Sequence, residues 1–300
     1  MFLRHVLLLA LGAATACRAP ASRPAPTGLL DAWRARIARS AGAEVALYYR
    51  SLAPNAPAFT LDADRPMHPA STMKVPVMIE LFRRIDAGTI APDSSVVLQN
   101  RFASIVDGSP YTLDAGDDSD SLLYTKVGTR VTLTELDRRM IVRSSNLATN
   151  VLVEQLGGPA ITATAAALGA NGMIVRRGVE DTKAFQAGLN NSTTARALGV
   201  LMEAIALGRA ASPRSTTAML ETLRAQEFND EIPAGLPAGT PVAHKTGWIT
   251  ATTHDAAIVS PPGRSPFVLV ILTRAIPDRA TAQRLMADLA RITWEFDQRR

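Results

Sequence analysis

A serine and a lysine three residues apart could form the core of a nucleophilic site. Ser71 and Lys74 occur in the stretch Ser-Thr-Met-Lys, and residues i and i+3 of a helix project from one face. A serine hydroxyl is a weak nucleophile until a nearby base takes its proton. A lysine whose pKa is lowered by burial or by cationic neighbours can be that base, so the pair could carry out acyl transfer. Alone, the same spacing is common on a solvated helix turn.

Two further short motifs follow in the chain, Ser144-Ser145-Asn146 and Lys245-Thr246-Gly247. Each is weak evidence by itself, because a Ser-Ser-Asn run is more often a helix cap and Lys-Thr-Gly is more often an ordinary strand end. Their joint placement is informative. The Ser71 motif opens a helix, the second motif lies at a helix–helix junction, and the third ends a strand. The backbone N–H groups of Ser71 and Trp248 could then form an oxyanion hole.

The order and spacing of the three motifs resemble those of the serine β-lactamases and penicillin-binding proteins, and most of all the class A β-lactamases. The run from His254 to Arg264 adds to the resemblance, which covers essentially the whole chain after its N-terminal segment. The resemblance implies that Ser71 attacks the carbonyl of a β-lactam. It also implies that Lys74 takes part in removing the serine proton and that Ser144 relays a proton to the ring nitrogen.

A second set of residues would bind the substrate if the resemblance holds. It implies that Asn146 contacts the side-chain amide of the substrate, and that Lys245 and Thr246 bind its carboxylate. Gly247 would let the strand approach the substrate closely. Trp248, the next residue, could wall the pocket or pack on a neighbouring strand.

Two departures from the class A pattern stand out. Ser145 occupies the middle of the second motif, where class A enzymes usually have Asp. The Glu-x-x-Leu-Asn loop, whose Glu serves deacylation in that class, is not intact within residues 176–190. Spacing from both ends of this loop favours Glu180 as the base, although Glu180 could also be a surface acid. Matching Leu189-Asn190 instead puts Gln186 at the base position, and glutamine cannot act as a general base.

Helical periodicity and strand-like runs alternate in the order helix, strands, helices, strands, helix. The early strands, near 44–50 and 58–61, cannot form a good sheet alone, so we expect them to pair with the C-terminal strands. The predicted class is α/β (α+β), an antiparallel sheet flanked by helices with an inserted all-helical domain. The sheet domain would comprise 28–90 and 207–300, and the helical domain 91–206.

The N-terminal segment predicts export. Residues 1–16 combine a short positive region, an apolar run too short to span a bilayer and the small-x-small site Ala14-Thr15-Ala16. Residues 17–27 form a Pro-rich tether. Cys17, the only cysteine, is either the lipidated first residue of a lipoprotein or an unmodified residue after ordinary cleavage. We therefore expect a periplasmic protein, free or membrane-anchored, without an intramolecular disulfide.

Composition disfavours several other classes of protein. The charged residues are interspersed along the chain rather than clustered, and this distribution disfavours nucleic-acid binding. The net charge of +5 suits an anionic substrate. The three histidines beyond the signal, His68, His244 and His254, lack zinc-ligand spacing, so no metal or cofactor is expected. His254 beside Asp255 is more consistent with a structural role than with a triad. The acidic run 114–120 lacks calcium-loop spacing and predicts a solvated loop with Asp114, Asp117, Asp118 and Asp120 exposed.

The main functional expectation is a monomeric class A-like β-lactamase acting on small-molecule β-lactams. Ser145 and the broken loop motif leave two alternatives open. One is a D-Ala-D-Ala carboxypeptidase or esterase that uses the same Ser71. The other is a penicillin-binding sensor that is acylated and stalls, as Gln186 at the base position would predict.

Overall fold

A computed structural model of the protein describes residues 27–300; the predicted signal (1–16), Cys17 and the rest of the tether up to residue 26 lie outside the described residues. The α-helices are α1 Thr27–Ile37, α2 Lys74–Asp86, α3 Leu133–Val142, α4 Asn146–Leu156, α5 Gly158–Ala167, α6 Thr182–Gln186, α7 Ala195–Ala206, α8 Pro213–Arg224 and α9 Arg279–Gln298. The strands are β1 Glu44–Ser51, β2 Ala58–Leu61, β3 Ser95–Val97, β4 Phe102–Ala103, β5 Pro110–Tyr111, β6 Arg130–Thr132, β7 Val242–Ile249, β8 Thr252–Val259 and β9 Phe267–Arg274. Short 3-10 helices cover Ala70–Met73, Ser121–Lys126 and Pro233–Gly235.

Five strands form one antiparallel sheet in the order β2-β1-β9-β8-β7. The N-terminal strands therefore pair with the C-terminal ones, as the sequence predicted, with Tyr48 of β1 opposite Val270 of β9. The predicted antiparallel sheet with flanking helices is confirmed. Among residues 27–300 β7 pairs only with β8, so one side of its backbone lies at the edge of the sheet.

Both faces of the sheet are covered by helices. In β9, Leu269 and Ile271 contact the layer formed by α1 and α9, whereas Val270 and Leu272 belong to the larger core on the opposite face. Successive strand residues point to opposite faces. The uninterrupted apolar run of β9 is therefore what a strand buried on both sides requires.

Helix α2 runs through the larger core. All of its residues from 74 to 82 are buried, so a lysine at its first position enters the protein interior. Helix α7 lies within 91–206, the range predicted for the helical domain, yet it contacts β1, β8 and β9 of the sheet. The division of the chain into a sheet domain and a helical domain stays a prediction. No helix within residues 27–300 is long and apolar enough to cross a membrane.

Polar side chains cap the N-termini of several helices. Each accepts a hydrogen bond from the backbone N–H three residues later: Thr132 before α3, Ser145 before α4, Thr194 before α7 and Asp278 before α9. Such a cap stabilises a helix by about 1 kcal/mol. The cap at Ser145 fixes where α4 begins, and therefore where the two neighbouring motif residues lie.

Candidate active site

Ser71 lies in the 3-10 turn that leads into α2. Its half-buried side chain lines a cleft of about 490 Å³ between this turn, the loop before α6 and the end of β7. Asn146, Glu180 and Trp248, all candidates from the sequence, line the same cleft. Residues that are up to 177 positions apart in the chain are therefore within reach of one bound molecule.

Lys74 lies at the start of α2 and is fully buried. Its Nζ donates to the Ser144 carbonyl oxygen at 2.7 Å and to Asn146 Oδ1 at 3.0 Å, and lies 3.2 Å from Ser144 Oγ. Burial lowers the pKa of Lys74 to about 7, although the carboxylates of Asp118 and Glu180 act in the opposite direction. Near neutral pH this amine can therefore both accept and return a proton.

The partners of Lys74 differ in what they can do. The Ser144 carbonyl and Asn146 Oδ1 can only accept hydrogen bonds. They occupy two N–H groups of a neutral amine and leave its lone pair for a hydroxyl. Ser144 Oγ is such a hydroxyl, so Lys74 and Ser144 can exchange a proton directly.

Ser144 lies between two buried lysines. Its Oγ is 3.1 Å from the Nζ of Lys245, on the opposite side from Lys74. Lys245 also donates to the carbonyl oxygen of Thr246 at 2.9 Å. Burial and the nearby Lys74 hold the pKa of Lys245 well below its usual value. An anion bound beside these two buried amines would stabilise the protonated, charged form of each lysine, because a nearby negative charge raises the pKa of an amine.

Gly247 allows β7 to lie directly against the Ser71 turn. A Cβ at this position would be 2.6 Å from the backbone nitrogen of Ser71 and 2.9 Å from that of Thr72. Lys245 Nζ donates to the Thr246 carbonyl oxygen. Backbone groups of residues i and i+2 in an antiparallel strand point the same way, so the Trp248 N–H points to the same side of β7 as that carbonyl, and Trp248 itself lines the cleft.

Asn146 connects the lysine to the loop before α6. Its Nδ2 donates to Glu180 Oε1 at 2.7 Å, while its Oδ1 accepts from Lys74. Burial raises the pKa of Glu180, and the bond from Asn146 opposes that shift. Glu180 has φ +62°, a left-handed conformation that costs energy for a non-glycine residue. Gln186, the other candidate base, is exposed on α6 and does not line the cleft.

A family model described as the beta-lactamase enzyme family matches residues 30–296. The chain belongs to this family. The β-lactamase of Bacillus amyloliquefaciens is 31% identical over 212 residues, which are 66% of this chain and 67% of that protein. The β-lactamase of Streptomyces albus G is 33% identical over 171 residues, 55% of this chain and 54% of its own length. The aligned stretch thus spans between about half and two thirds of these curated relatives.

The crystal structure of a β-lactamase from Sphaerobacter thermophilus DSM 20745 has the same fold. It superimposes with a TM-score of 0.77 at 27% identity, over 91% of this chain and 98% of that one. The predicted resemblance to the serine β-lactamase and penicillin-binding superfamily is confirmed.

Within this family fold, the acidic run differs from its prediction. A solvated loop was wrong for Asp118 and Asp120, which are only 6% and 2% exposed. Asp118 Oδ2 accepts hydrogen bonds from the backbone N–H groups of Asn146 and Leu147, both at 2.9 Å. Asp120 pairs with arginines of and after α3. These carboxylates are buried because a helix N-terminus and guanidinium groups compensate their charge.

Asn150 is a functional neighbour that the sequence reasoning missed. Its side chain accepts from the N–H of Val179 at 2.6 Å and donates to the carbonyl of the same residue at 3.0 Å. It thereby holds the loop backbone directly before Glu180. The signal was available, because Asn146 and Asn150 are four residues apart and share one face of α4.

His254 does not form a triad with Asp255. It is fully buried and its Nε2 lies 2.9 Å from the carbonyl oxygen of His68, while burial lowers its pKa to about 4. Asp255 pairs instead with His244, at 3.0 Å. Trp248 lines the cleft, and its ring packs edge-on against Phe228 of the loop after α8 rather than on a neighbouring strand. Within residues 27–300, no three His, Cys, Asp or Glu side chains form a group that could hold a metal ion.

Proposed function

We propose that this protein hydrolyses β-lactams through an acyl-enzyme on Ser71. One observation carries the proposal: the buried Lys74 amine, three residues after Ser71 and with a pKa of about 7, bonds to two pure acceptors and to the Ser144 hydroxyl. Membership of the beta-lactamase enzyme family supports the substrate class.

The first step is acylation. Ser71 Oγ attacks the ring carbonyl and its proton passes to the neutral amine of Lys74. The ring C–N bond then breaks, and the ring nitrogen takes the proton of Ser144. Lys74, now an ammonium 3.2 Å from Ser144 Oγ, returns a proton to that hydroxyl. The amine ends the step neutral, and Ser71 carries the acyl group as an ester.

The negative charge that develops on the carbonyl oxygen requires hydrogen-bond donors. The backbone N–H groups of Ser71 and Trp248 are the proposed donors, because Gly247 lets the backbone of β7 lie against the turn that contains Ser71. Such donors act most strongly when the fold holds them in place before the reaction, and loss of one typically costs about 10²–10³ in rate.

Lys245 and Thr246 are suited to the carboxylate of the substrate. Thr246 Oγ1 is buried and lacks a hydrogen-bond partner among the described residues, and a buried hydroxyl without a partner is unfavourable. A carboxylate would supply that partner and would also stabilise the charged form of Lys245. The site therefore favours substrates with an acidic group beside the reacting ring.

Deacylation is assigned to Glu180. A carboxylate whose pKa is raised by burial is a better proton acceptor than an exposed one. Glu180 can take a proton from water as the water attacks the Ser71 ester, and Ser71 Oγ recovers that proton as the acid product leaves. The bond from Asn146 holds the carboxylate at the cleft.

The test follows penicillin and protein together, by absorbance and by intact mass. Wild type should turn over the drug with little adduct, whereas Ser71→Ala should show neither turnover nor adduct. Glu180→Gln should accumulate the adduct, with turnover lower by about 10²–10⁴. Gln186→Ala, a matched change on the exposed face of α6, should behave as wild type.

Three outcomes would contradict the proposal. Turnover that survives Ser71→Ala excludes the acyl-enzyme. A stable adduct on wild type would favour the penicillin-binding sensor. Release of D-Ala from a pentapeptide without turnover of the drug would favour the carboxypeptidase.

We further propose export to the periplasm with Cys17 as the site of a lipid anchor, and this proposal rests on residues 1–17 alone. The mass of the mature protein from a bacterial host should correspond to cleavage after Ala16. An added diacylglyceryl mass that disappears in Cys17→Ser would establish the anchor, and a chain that retains residue 1 would refute export.

A further inference from the structure

The short segment Asp118–Asp120 packs on the turn that contains the second motif. Ser119 Oγ donates to the carbonyl of Arg143 at 2.7 Å, and the Asp118 carboxylate lies at the N-terminus of α4. None of these contacts has a sequence signature, because the partners are more than 20 residues apart.

The start of α4 needs more than one acceptor. The first N–H groups of a helix have no partner within the helix. Ser145 Oγ accepts only from the N–H of Ala148. Asp118 Oδ2 accepts from the two N–H groups between them, those of Asn146 and Leu147, each at 2.9 Å. The cap of α4 is therefore divided between its own serine and a carboxylate from another segment.

The turn that this cap holds is strained. Ser144 has φ +58°, a region that non-glycine residues enter only when their surroundings determine it. The Asp118 carboxylate is itself held by the Tyr124 hydroxyl at 3.1 Å and by the N–H of Asp120 at 2.9 Å. It is buried, so its position is set by packing and by these bonds.

We propose that Asp118 is a positioning residue, which holds Ser144 and Asn146 in their places beside Lys74 by capping α4 from outside the helix. The inference rests on the proposed function for its kinetic consequences. Its structural content, the cap, does not depend on what the substrate is. Ser145 does not provide this part of the cap, because its Oγ accepts from Ala148 and itself donates to Asp118 Oδ2, whereas the Asn146 and Leu147 N–H groups donate to Asp118.

The charge of Asp118 has a second consequence. The charged groups that face Lys74 are Lys245 from β7, Glu180 from the loop before α6, and Asp118. The two carboxylates raise the pKa of Lys74 against the effect of burial. Asp118→Asn keeps one acceptor oxygen and removes the charge, so the pKa of Lys74 should fall further. The acid limb of the pH profile for acylation should then move to lower pH.

The experiment compares Asp118→Ala, Asp118→Asn and a matched control, Asp114→Asn. The control removes the same charge from the same loop, where Asp114 is exposed and its carboxylate accepts, among residues 27–300, only from the N–H of Gly116. Backbone hydrogen exchange at Asn146 and Leu147 is the first readout. It should be slow in wild type and in the control, and at least tenfold faster in Asp118→Ala.

Acylation by penicillin across the pH range is the second readout. Asp118→Ala should acylate about 10- to 100-fold more slowly, since misplaced catalytic groups cost rate in this range. Asp118→Asn should shift the acid limb downward, and Asp114→Asn should not. Adding Ser145→Asp to Asp118→Ala places a carboxylate at the N-cap itself and should restore part of the rate and of the exchange protection.

Unchanged exchange at Asn146 and Leu147 in a folded Asp118→Ala protein would overturn the inference, whether or not the protein opens β-lactams. Altered exchange without any acylation of wild type would instead support the cap and count against the proposed function. If Asp118→Ala does not fold, Asp118→Asn decides by the same exchange measurement: a neutral amide accepts weaker hydrogen bonds than a carboxylate, so exchange at Asn146 and Leu147 as slow as in wild type refutes the role.

Discussion

Gly247→Ala tests the contact between the edge strand and the nucleophile turn most directly. The added Cβ would lie 2.6 Å from the Ser71 nitrogen, whereas ordinary contacts begin near 3.4 Å, so one backbone must move by about 0.8 Å. Neither partner is a flexible side chain. A displacement near 1 Å can cost on the order of 10² in rate, and both proposed oxyanion donors lie on the backbones that must separate.

We expect kcat/KM for a chromogenic cephalosporin to fall on the order of 10²-fold, which is about 2.7 kcal/mol of transition-state stabilisation. Overpacking should also lower the free energy of unfolding by about 1–3 kcal/mol, so activity is measured well below the Tm of the variant. Gly28→Ala is the control, because a Cβ there has nothing within 4 Å. A Gly247→Ala enzyme within twofold of wild type would refute the reasoning about this contact.

Three further predictions concern other parts of the molecule. The acylation rate should rise with pH around a midpoint near 7, because only neutral Lys74 accepts a proton and burial places its pKa there; stopped-flow acylation that is flat between pH 5.5 and 8.5 would contradict this. Burial raises the pKa of Asp137 from 3.8 to about 8. The folded protein therefore holds this proton more tightly than the unfolded chain does, and the free energy of unfolding falls as the pH rises from about 4 to about 8. At about 1.36 kcal/mol for each pKa unit, the loss is up to about 6 kcal/mol. Asp137→Asn should therefore be stabilised relative to wild type at pH 8 but not near pH 4, as urea unfolding at the two pH values would show; an equal difference at both would argue against a raised pKa. Asn150→Ala should slow deacylation more than acylation, because it frees the backbone beside Glu180, and single-turnover kinetics that slow both steps equally would exclude that role.

Much of the architecture could be predicted because its causes are local. The bounds of β1, Glu44–Ser51, and of β2, Ala58–Leu61, agree to within one residue with the strands predicted near 44–50 and 58–61. In each, a short run rich in β-branched and aromatic residues acts within a few residues. The short pairs β3–β6 and β4–β5 were not predicted, because two or three residues carry no readable periodicity.

The cleft could be predicted only in part. The three motifs identified Ser71, Lys74 and Lys245 as candidates, and the structure brings them to one place. Two alignments of the loop were both compatible with its sequence, and only the fold shows Glu180 at the cleft and Gln186 on the surface.

The sequence by itself determined which residues could react, where most helices begin and how the strands alternate, because these follow from side-chain chemistry and neighbours along the chain. Only the tertiary structure decided which ionisable side chains are buried away from solvent. Lys74 is a useful base because the core surrounds it, and Asp118 is buried because a helix start 28 residues later faces it. Desolvation depends on the groups that folding brings together from distant parts of the chain, and no local pattern records it.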